Sequence, residues 1–386
     1  MRVAIIIPDD FSIVWFSETI VKKLLEDHEV TAICDVHKGH EEGHYLEIMK
    51  SWGVKHEQID FYRFFNPLKD LKYIYNLTKI LKKNRYDKVI NIATKPNLFG
   101  PIAEKLSGHN NISTCVWGLG LSFSATRSIK IFIYRLVATF LYKHAFKASK
   151  KIWFTNENDL HHFTSRSLVD EKKVILTKNY VNTNDFSPDS VSENTSLVLR
   201  EELGYSPEDK IVILLARMSW AKGIKEFCES SDLLDASKNL KFLLVGPEDS
   251  GSADSVPIEY LKKYDNKDNF QWIGFRRDVK ELYSISDLAV YPSFYREGGY
   301  PRGLTEPMSM GKPVITTDSE HCAKSVDHNK SGLIVPMRDS KALANAINFI
   351  INDEEIAESF GIESRKKAIR ELDEETIIAS LIQKLI

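Results

Sequence analysis

Several things are scarce in this chain of 386 residues, and each scarcity removes a class of protein. Its four cysteines, Cys34, Cys115, Cys228 and Cys322, lie far apart, with no C-x-x-C pair and no histidines at zinc spacing. That argues against a disulfide framework or a cysteine-ligated metal and fits a reducing compartment. No window of 18 residues is apolar and free of charge, so no segment reads as membrane-spanning. The apolar start at Met1–Pro8 is too short for a signal peptide and reads as a strand. Net charge nearly vanishes, with 52 Lys and Arg against 54 Asp and Glu, and nothing points to nucleic acid. No Gly-x-Gly-x-x-Gly follows the first strand, which demotes a dehydrogenase, and no Asp-x-Asp pair follows a strand to hold Mg²⁺. What remains, 43% apolar and 27% charged, is a globular composition at a length that predicts two domains in the cytoplasm.

Short apolar runs alternate with helical stretches along the whole chain. The first half offers strands at Val3–Ile7, Val30–Val36, Lys88–Ala93, Ile112–Val116, Lys151–Phe154 and Val174–Leu176, with helices such as Ser17–Glu26 and Leu98–Leu106 between them. The second half offers Ile211–Ala216, Phe242–Val245, Phe270–Ile273, Leu288–Pro292, Val314–Thr317 and Gly332–Val335. Ile, Val and Leu runs without polar alternation are strands covered on both faces, as in parallel sheets. The polar stretch 182–195 reads as a linker. The expected fold class is α/β: two Rossmann-like doubly wound domains facing across a cleft, residues 1–185 and 186–366, with a helix over 367–386 able to cross back to the first.

Chemistry concentrates at Tyr291-Pro292-Ser293-Phe294-Tyr295-Arg296-Glu297-Gly298-Gly299-Tyr300-Pro301-Arg302-Gly303-Leu304-Thr305-Glu306-Pro307. Gly298 and Gly299 let the backbone approach a ligand, Pro301 suits a helix start, and Pro307 is tolerable if the regular helix begins near Leu304. Free amides at such a start suit a phosphate, while Glu297 and Glu306 are acceptors suited to sugar hydroxyls. A second segment, Ala216-Arg217-Met218-Ser219-Trp220-Ala221-Lys222-Gly223, places two cations after a strand, where they can neutralise a diphosphate.

These segments, with Leu244-Val245-Gly246, Trp272-Ile273-Gly274-Phe275-Arg276-Arg277-Asp278-Val279 and Met310-Gly311-Lys312-Pro313-Val314-Ile315, resemble the retaining nucleotide-sugar glycosyltransferases of family 4, which adopt the GT-B fold. The resemblance implies catalytic roles for Glu297, Lys222 and Arg217. It also implies donor contacts from Gly246, Phe275, Arg276, Gly298, Gly299, Leu304 and Glu306. Thr94-Lys95-Pro96-Asn97-Leu98-Phe99-Gly100 and Val116-Trp117-Gly118-Leu119-Gly120 resemble enzymes that build bacterial surface glycans on polyprenyl-diphosphate carriers, some of which transfer N-acetylgalactosamine or another hexose. Thr94, Lys95, Gly118 and Gly120 are the corresponding acceptor candidates. The expected reaction moves a hexose or N-acetylhexosamine from a UDP-sugar to a polyprenyl-diphosphate-linked sugar, with no metal or other cofactor. A UDP-sugar 2-epimerase of the same fold, or an inactive donor-binding subunit, are the alternatives.

The chain departs from that pattern in places. Eight residues separate Glu297 from Glu306, one more than the family's spacing, and the glycine pair offers a place to absorb it. Tyr180-Val181-Asn182 stands where the family often has Gly-Val-Asp, and Pro8-Asp9-Asp10-Phe11-Ser12 lacks the usual glycine pair. His37, His40 and His44 are interrupted by Gly39 and Gly43 and read as a polar loop rather than metal ligands. Finally, from Lys105 to Asn156 there are eight Lys or Arg and no Asp or Glu. The core of it, Arg127–Lys151, mixes bases with aromatics and suits an anionic membrane surface. That predicts peripheral attachment to the inner face of the cytoplasmic membrane.

Overall fold

The uninterrupted apolar runs become strands buried on both faces. A computed structural model of the chain describes residues 1–37, 43–62, 65–118, 129–234, 239–250, 252–295, 297–320 and 322–386. In the first half lie β1 (Arg2–Asp9), β2 (Glu29–Asp35), β3 (Lys55–Gln58), β4 (Lys88–Ile92), β5 (Ile112–Val116), β6 (Lys151–Phe154) and β7 (Val174–Leu176). They form a seven-stranded parallel sheet of order β3-β2-β1-β4-β5-β6-β7. Val3 through Ile7 are fully buried, as the apolar run requires. Sequence reading missed β3, because Lys-His-Glu-Gln has no apolar run; an edge strand needs only its backbone groups and one covered neighbour.

The second half supplies β8 (Lys210–Leu215), β9 (Leu240–Val245), β10 (Phe270–Trp272), β11 (Leu288–Tyr291), β12 (Val314–Thr317) and β13 (Gly332–Val335). Their parallel order is β10-β9-β8-β11-β12-β13. Both sheets are doubly wound, with a reversal of strand order between β1 and β4 and between β8 and β11. Each carries its own apolar core.

The chain divides into two compact units, residues 1–178 with 375–386, and residues 179–374. The second begins earlier and ends later than the sequence reading placed it. The polar stretch is stitched into it: the amide of Val181 donates to Leu372 at 2.9 Å, and Arg365 donates to the carbonyls of Thr183 and Phe186, each at 2.9 Å. Polarity marked this stretch as a linker, but its carbonyls are paired with a helix, Glu354–Leu372, that begins far along the chain.

Candidate active site

The reversal between β8 and β11 decides which segments meet. Connections leaving the carboxyl ends of such a strand pair run to opposite faces of the sheet and open a crevice. Arg217 and Lys222 follow β8, and Glu297, Gly298 and Gly299 follow β11, which pairs directly with β8. The turn after Lys222 presses on the end of β11. Gly223 sits at φ +78°, and a Cβ there would stand 2.3 Å from the carbonyl oxygen of Pro292. On the other side, the carboxylate of Asp254 accepts from the Ser219 hydroxyl and, at 3.0 Å, from the Ala221 amide.

Lys222 and Glu297 are brought into contact. The ammonium donates to Glu297 Oε1 at 2.5 Å and to the Tyr291 hydroxyl at 2.9 Å, and both charged side chains are about nine-tenths buried. Tyr291 donates to the same Oε1 at 2.9 Å, and the Ser293 hydroxyl donates to it at 2.8 Å. Burial, reinforced by the charge of Glu297, pushes the Tyr291 phenol well above its ordinary range, so it stays a donor. The Tyr295 ring lies 4.8 Å from the Lys222 ammonium and adds a cation–π contact. Arg217 is half-exposed and pairs with Asp249 at 2.7 Å, which among the described residues leaves most of its five donors open.

The helix after the glycine turn begins at Arg302, not near Leu304. Pro301, at φ −65°, caps it, and the amide of Leu304 is already spent on the Pro301 carbonyl at 2.9 Å. Leu304 itself is fully buried in the core. The amides with no acceptor among the described residues are those of Arg302 and Gly303, one turn's start earlier than expected. Pro307 therefore lies inside the helix and removes one hydrogen bond from it. Between the glutamates the backbone is left-handed at two consecutive residues, Gly299 (φ +75°) and Tyr300 (φ +50°). The Asn179 amide holds the Gly299 carbonyl at 2.7 Å.

Glu306 projects from this helix into burial, and no hydrogen bond or ion pair reaches it among the described residues. Desolvation pushes its carboxyl up to about 7, against the pull of Arg302. Gly246 follows β9, where a Cβ would stand 1.8 Å from the Ala216 carbonyl oxygen, so the backbone must run close there. Phe275 is largely exposed. Arg276 is turned elsewhere: its fork grips Asp278 at 2.8 and 2.5 Å and reaches Glu202 at 2.9 Å, and these bonds hold its charge firmly.

In the first unit, Thr94 opens the helix Thr94–Ser107 after β4, behind Ala93 at the uncommon φ of +80°. Lys95 is bound to Asp70 at 2.6 Å, with both side chains nearly buried. Gly118 has open space around it, and Gly120 lies outside the described residues, as do Arg127 and His40. His37 is stacked on Phe11 at 5.2 Å, while His44 opens a helix. Sequence reading passed over the aromatics at this end of the sheet. Trp15 and Phe16 are nearly half exposed, and Phe16 meets Trp117 edge-on at 6.3 Å.

It also passed over Tyr291 and Ser293. Both stood inside the motif, but Lys222 is 69 residues away from Tyr291, and no local pattern shows hydroxyls converging on one carboxylate.

Residues 6–156 match the family Glycosyl transferase 4-like, and residues 197–367 match Glycosyl transferases group 1. Over 342 residues the chain is 29% identical to the N,N'-diacetylbacillosaminyl-diphospho-undecaprenol alpha-1,3-N-acetylgalactosaminyltransferase of Campylobacter jejuni, covering 88% of each chain. It is 23% identical to an Escherichia coli UDP-Gal:alpha-D-GlcNAc-diphosphoundecaprenol alpha-1,3-galactosyltransferase, over 75% of this chain and 73% of that one. Among solved structures, Anabaena HepE in complex with UDP superposes with a TM-score of 0.79 at 18% identity, covering 100% of this chain and 99% of that one. The chain thus belongs to the glycosyltransferases of the GT-B fold, with a 4-like first unit and a group 1 second unit.

Proposed function

We propose that this glycosyltransferase moves a hexose or N-acetylhexosamine, with retention, from a UDP-sugar to a polyprenyl-diphosphate-linked sugar during assembly of a bacterial surface glycan. The observation that carries the reading is the cation–carboxylate cluster at the β8/β11 reversal, in a chain whose Campylobacter relative is named for such a transfer and matches it along nearly its full length. Relatives named for capsular polysaccharide and colanic acid biosynthesis support the setting.

In this reading the diphosphate lies against Lys222, Arg217 and the open amides of Arg302 and Gly303. Its charge rises as UDP departs, and these groups stabilise it without a metal. Glu297 accepts a hydroxyl of the transferred sugar, Glu306 accepts from the ribose, and Gly298 and Gly299 let the backbone close on the phosphate. Gly246 and the backbone at Phe275 and Arg276 border the nucleoside, since the Arg276 side chain is committed to Asp278 and Glu202. The acceptor hydroxyl attacks the anomeric carbon on the face the diphosphate leaves. The bond from that carbon to the phosphate oxygen breaks, and the hydroxyl proton passes to the departing diphosphate. Thr94, Gly118 and the neighbouring Gly120 are the acceptor candidates that remain, Lys95 being tied to Asp70.

Attachment to the inner face of the membrane is part of the same reading. No helix among the described residues is long and apolar enough to cross a membrane. The helix Ile129–Ala148 nonetheless exposes Phe132, Leu136 and Phe140 beside Lys143 and Lys147. The helix Pro67–Asn84 adds exposed Leu68, Leu71 and Tyr75 beside Lys69 and Lys72, and ring contact between Phe65 and Tyr134, 5.5 Å apart, joins the two faces. Apolar side chains flanked by exposed lysines suit an anionic bilayer surface, at about 1 kcal/mol per cation.

The test of the reaction is incubation with a panel of UDP-hexoses and a polyprenyl-diphosphate-linked sugar, followed by mass spectrometry of the lipid. A lipid one hexose heavier is expected with one donor, and none with any donor would remove the proposal. For the surface, vesicles rich in anionic lipid should float the protein, and the quadruple change of Lys143, Lys147, Lys150 and Lys151 to Gln should release it.

A further inference from the structure

The bonds inside the Lys222–Glu297 cluster are unequal in a way that assigns work to two more residues. All three donors, Lys222 Nζ, the Tyr291 hydroxyl and the Ser293 hydroxyl, converge on one oxygen, Oε1, at 2.5, 2.9 and 2.8 Å. Oε2 of the same carboxylate takes no hydrogen bond among the described residues. An ionised carboxylate has about four acceptor positions, so crowding donors onto one oxygen pins its orientation and leaves the other oxygen's capacity unused. The ammonium is similarly part-filled: of its three hydrogens, two are directed at Glu297 and Tyr291, which leaves one without a hydrogen-bond acceptor among the described residues.

The two hydroxyls are themselves held. Tyr291 ends β11; the Thr316 hydroxyl donates to its carbonyl at 2.9 Å, and its ring lies against Gly303, where an added Cβ would come within 2.5 Å of it. Ser293 is fully buried, its oxygen accepts the Tyr295 amide at 3.1 Å, and its carbonyl accepts the Thr317 hydroxyl at 2.6 Å. Strand ends and backbone bonds fix both side chains before any ligand arrives. Preorganisation of this kind is what lets a polar group act without reorganising during a reaction.

We propose that Tyr291 and Ser293 are positioning residues that clamp Oε1 of Glu297, so that its free Oε2 and the remaining N–H of Lys222 address one ligand together. That ligand must present an anionic oxygen to the ammonium and a hydroxyl to the carboxylate a few ångströms apart, which describes a hexosyl diphosphate. The inference rests on the nucleotide-sugar reading and goes beyond it in one respect. It makes discrimination between UDP-hexose and bare UDP a property of the two hydroxyls, which need not touch the sugar.

The test uses the full chain and the variants Tyr291→Phe, Ser293→Ala and Ser293→Thr. Tyr291→Phe keeps the ring against Gly303 and removes only the hydroxyl. UDP affinity is measured by calorimetry, and kcat and KM are measured with the UDP-hexose that the wild type uses. The expected result is UDP affinity within about twofold of wild type, with kcat lowered about tenfold or more in Tyr291→Phe and Ser293→Ala and largely restored in Ser293→Thr. Turnover within about twofold of wild type in both hydroxyl-free variants overturns the proposal. So does a parallel loss of UDP affinity and turnover, which marks a merely structural role. A wild-type chain that does not bind UDP fails at the nucleotide-sugar reading instead, and the two failures are told apart by that first titration.

Discussion

Each half of the molecule has a buried lysine–carboxylate pair beside its sheet, and by length and burial the two are nearly the same. Lys95 meets Asp70 at 2.6 Å in the first unit, and Lys222 meets Glu297 at 2.5 Å in the second. The difference lies in what the remaining valences do. The second oxygen of Asp70 accepts the Asn66 amide at 2.9 Å, so both oxygens of that carboxylate are engaged and it ties the helix Pro67–Asn84 to the helix Thr94–Ser107. Among the described residues, no hydrogen bond reaches the second oxygen of Glu297. The first pair is a closed staple with both oxygens engaged; in the second, one oxygen carries all three bonds among the described residues, the opening that the proposal assigns to a ligand. Pair distance and burial do not separate the two pairs; what does is how the accepted bonds are shared between the two carboxylate oxygens, one on each in Asp70 and all three on Oε1 in Glu297.

The largest expected effect tests the closed pair. Lys95→Met strands a buried carboxylate, and chemical denaturation should show about 3–5 kcal/mol of lost stability, with UDP affinity at the second unit intact in the protein that remains folded. A loss below about 1 kcal/mol would mean that the staple is not closed. Lys222→Met should show in turnover as well as in stability: kcat/KM falls by about a hundredfold, as expected when one charge-stabilising donor is removed. Near-normal turnover would erase the contrast between the two lysines.

A smaller and pH-dependent effect belongs to Glu306. Its carboxyl is raised by burial to about 7 from the ordinary value of 4.5. The folded state therefore holds a proton that the unfolded chain has released between about 4.5 and 7, and this contribution to stability declines as pH rises through that window. Above pH 7, Glu306→Gln should be more stable than wild type by on the order of 3 kcal/mol. UDP binding should run the other way. A ribose hydroxyl donates to the ionised form, so wild-type affinity weakens as pH falls below about 7, while the Gln variant binds about tenfold more weakly at pH 8 and shows no such slope. Calorimetry across pH checks both.

Much of the architecture was legible because parallel strands buried on both faces have to be continuous apolar runs, and Val3–Ile7 or Ile211–Leu215 can be little else. Residues Arg217, Lys222, Glu297 and Glu306 stood out as candidates because they cluster around glycines and prolines at strand ends. The edge strand β3 was not, since Lys55–Gln58 owes its conformation to a neighbour rather than to its own pattern. The start of the helix at Arg302 was misplaced by two residues, because Pro307 suggested a later start than Pro301 imposes. Arg276, a donor contact by resemblance, has its side chain paired with Glu202 and Asp278, which no local pattern announces.

Sequence alone determined the two sheets, their parallel winding and the residue types at the second sheet's carboxyl ends, because hydrophobic period and turn chemistry are local properties. Only the tertiary structure decided which charges are already satisfied and which are open. Lys95 is paired with Asp70 and Arg276 with Asp278 and Glu202, while among the described residues Glu297 carries all its bonds on one oxygen. The reason is physical: a hydrogen-bonding valence is filled or left vacant by whatever group the fold brings within 3 Å of it, and those groups come from distant stretches of chain.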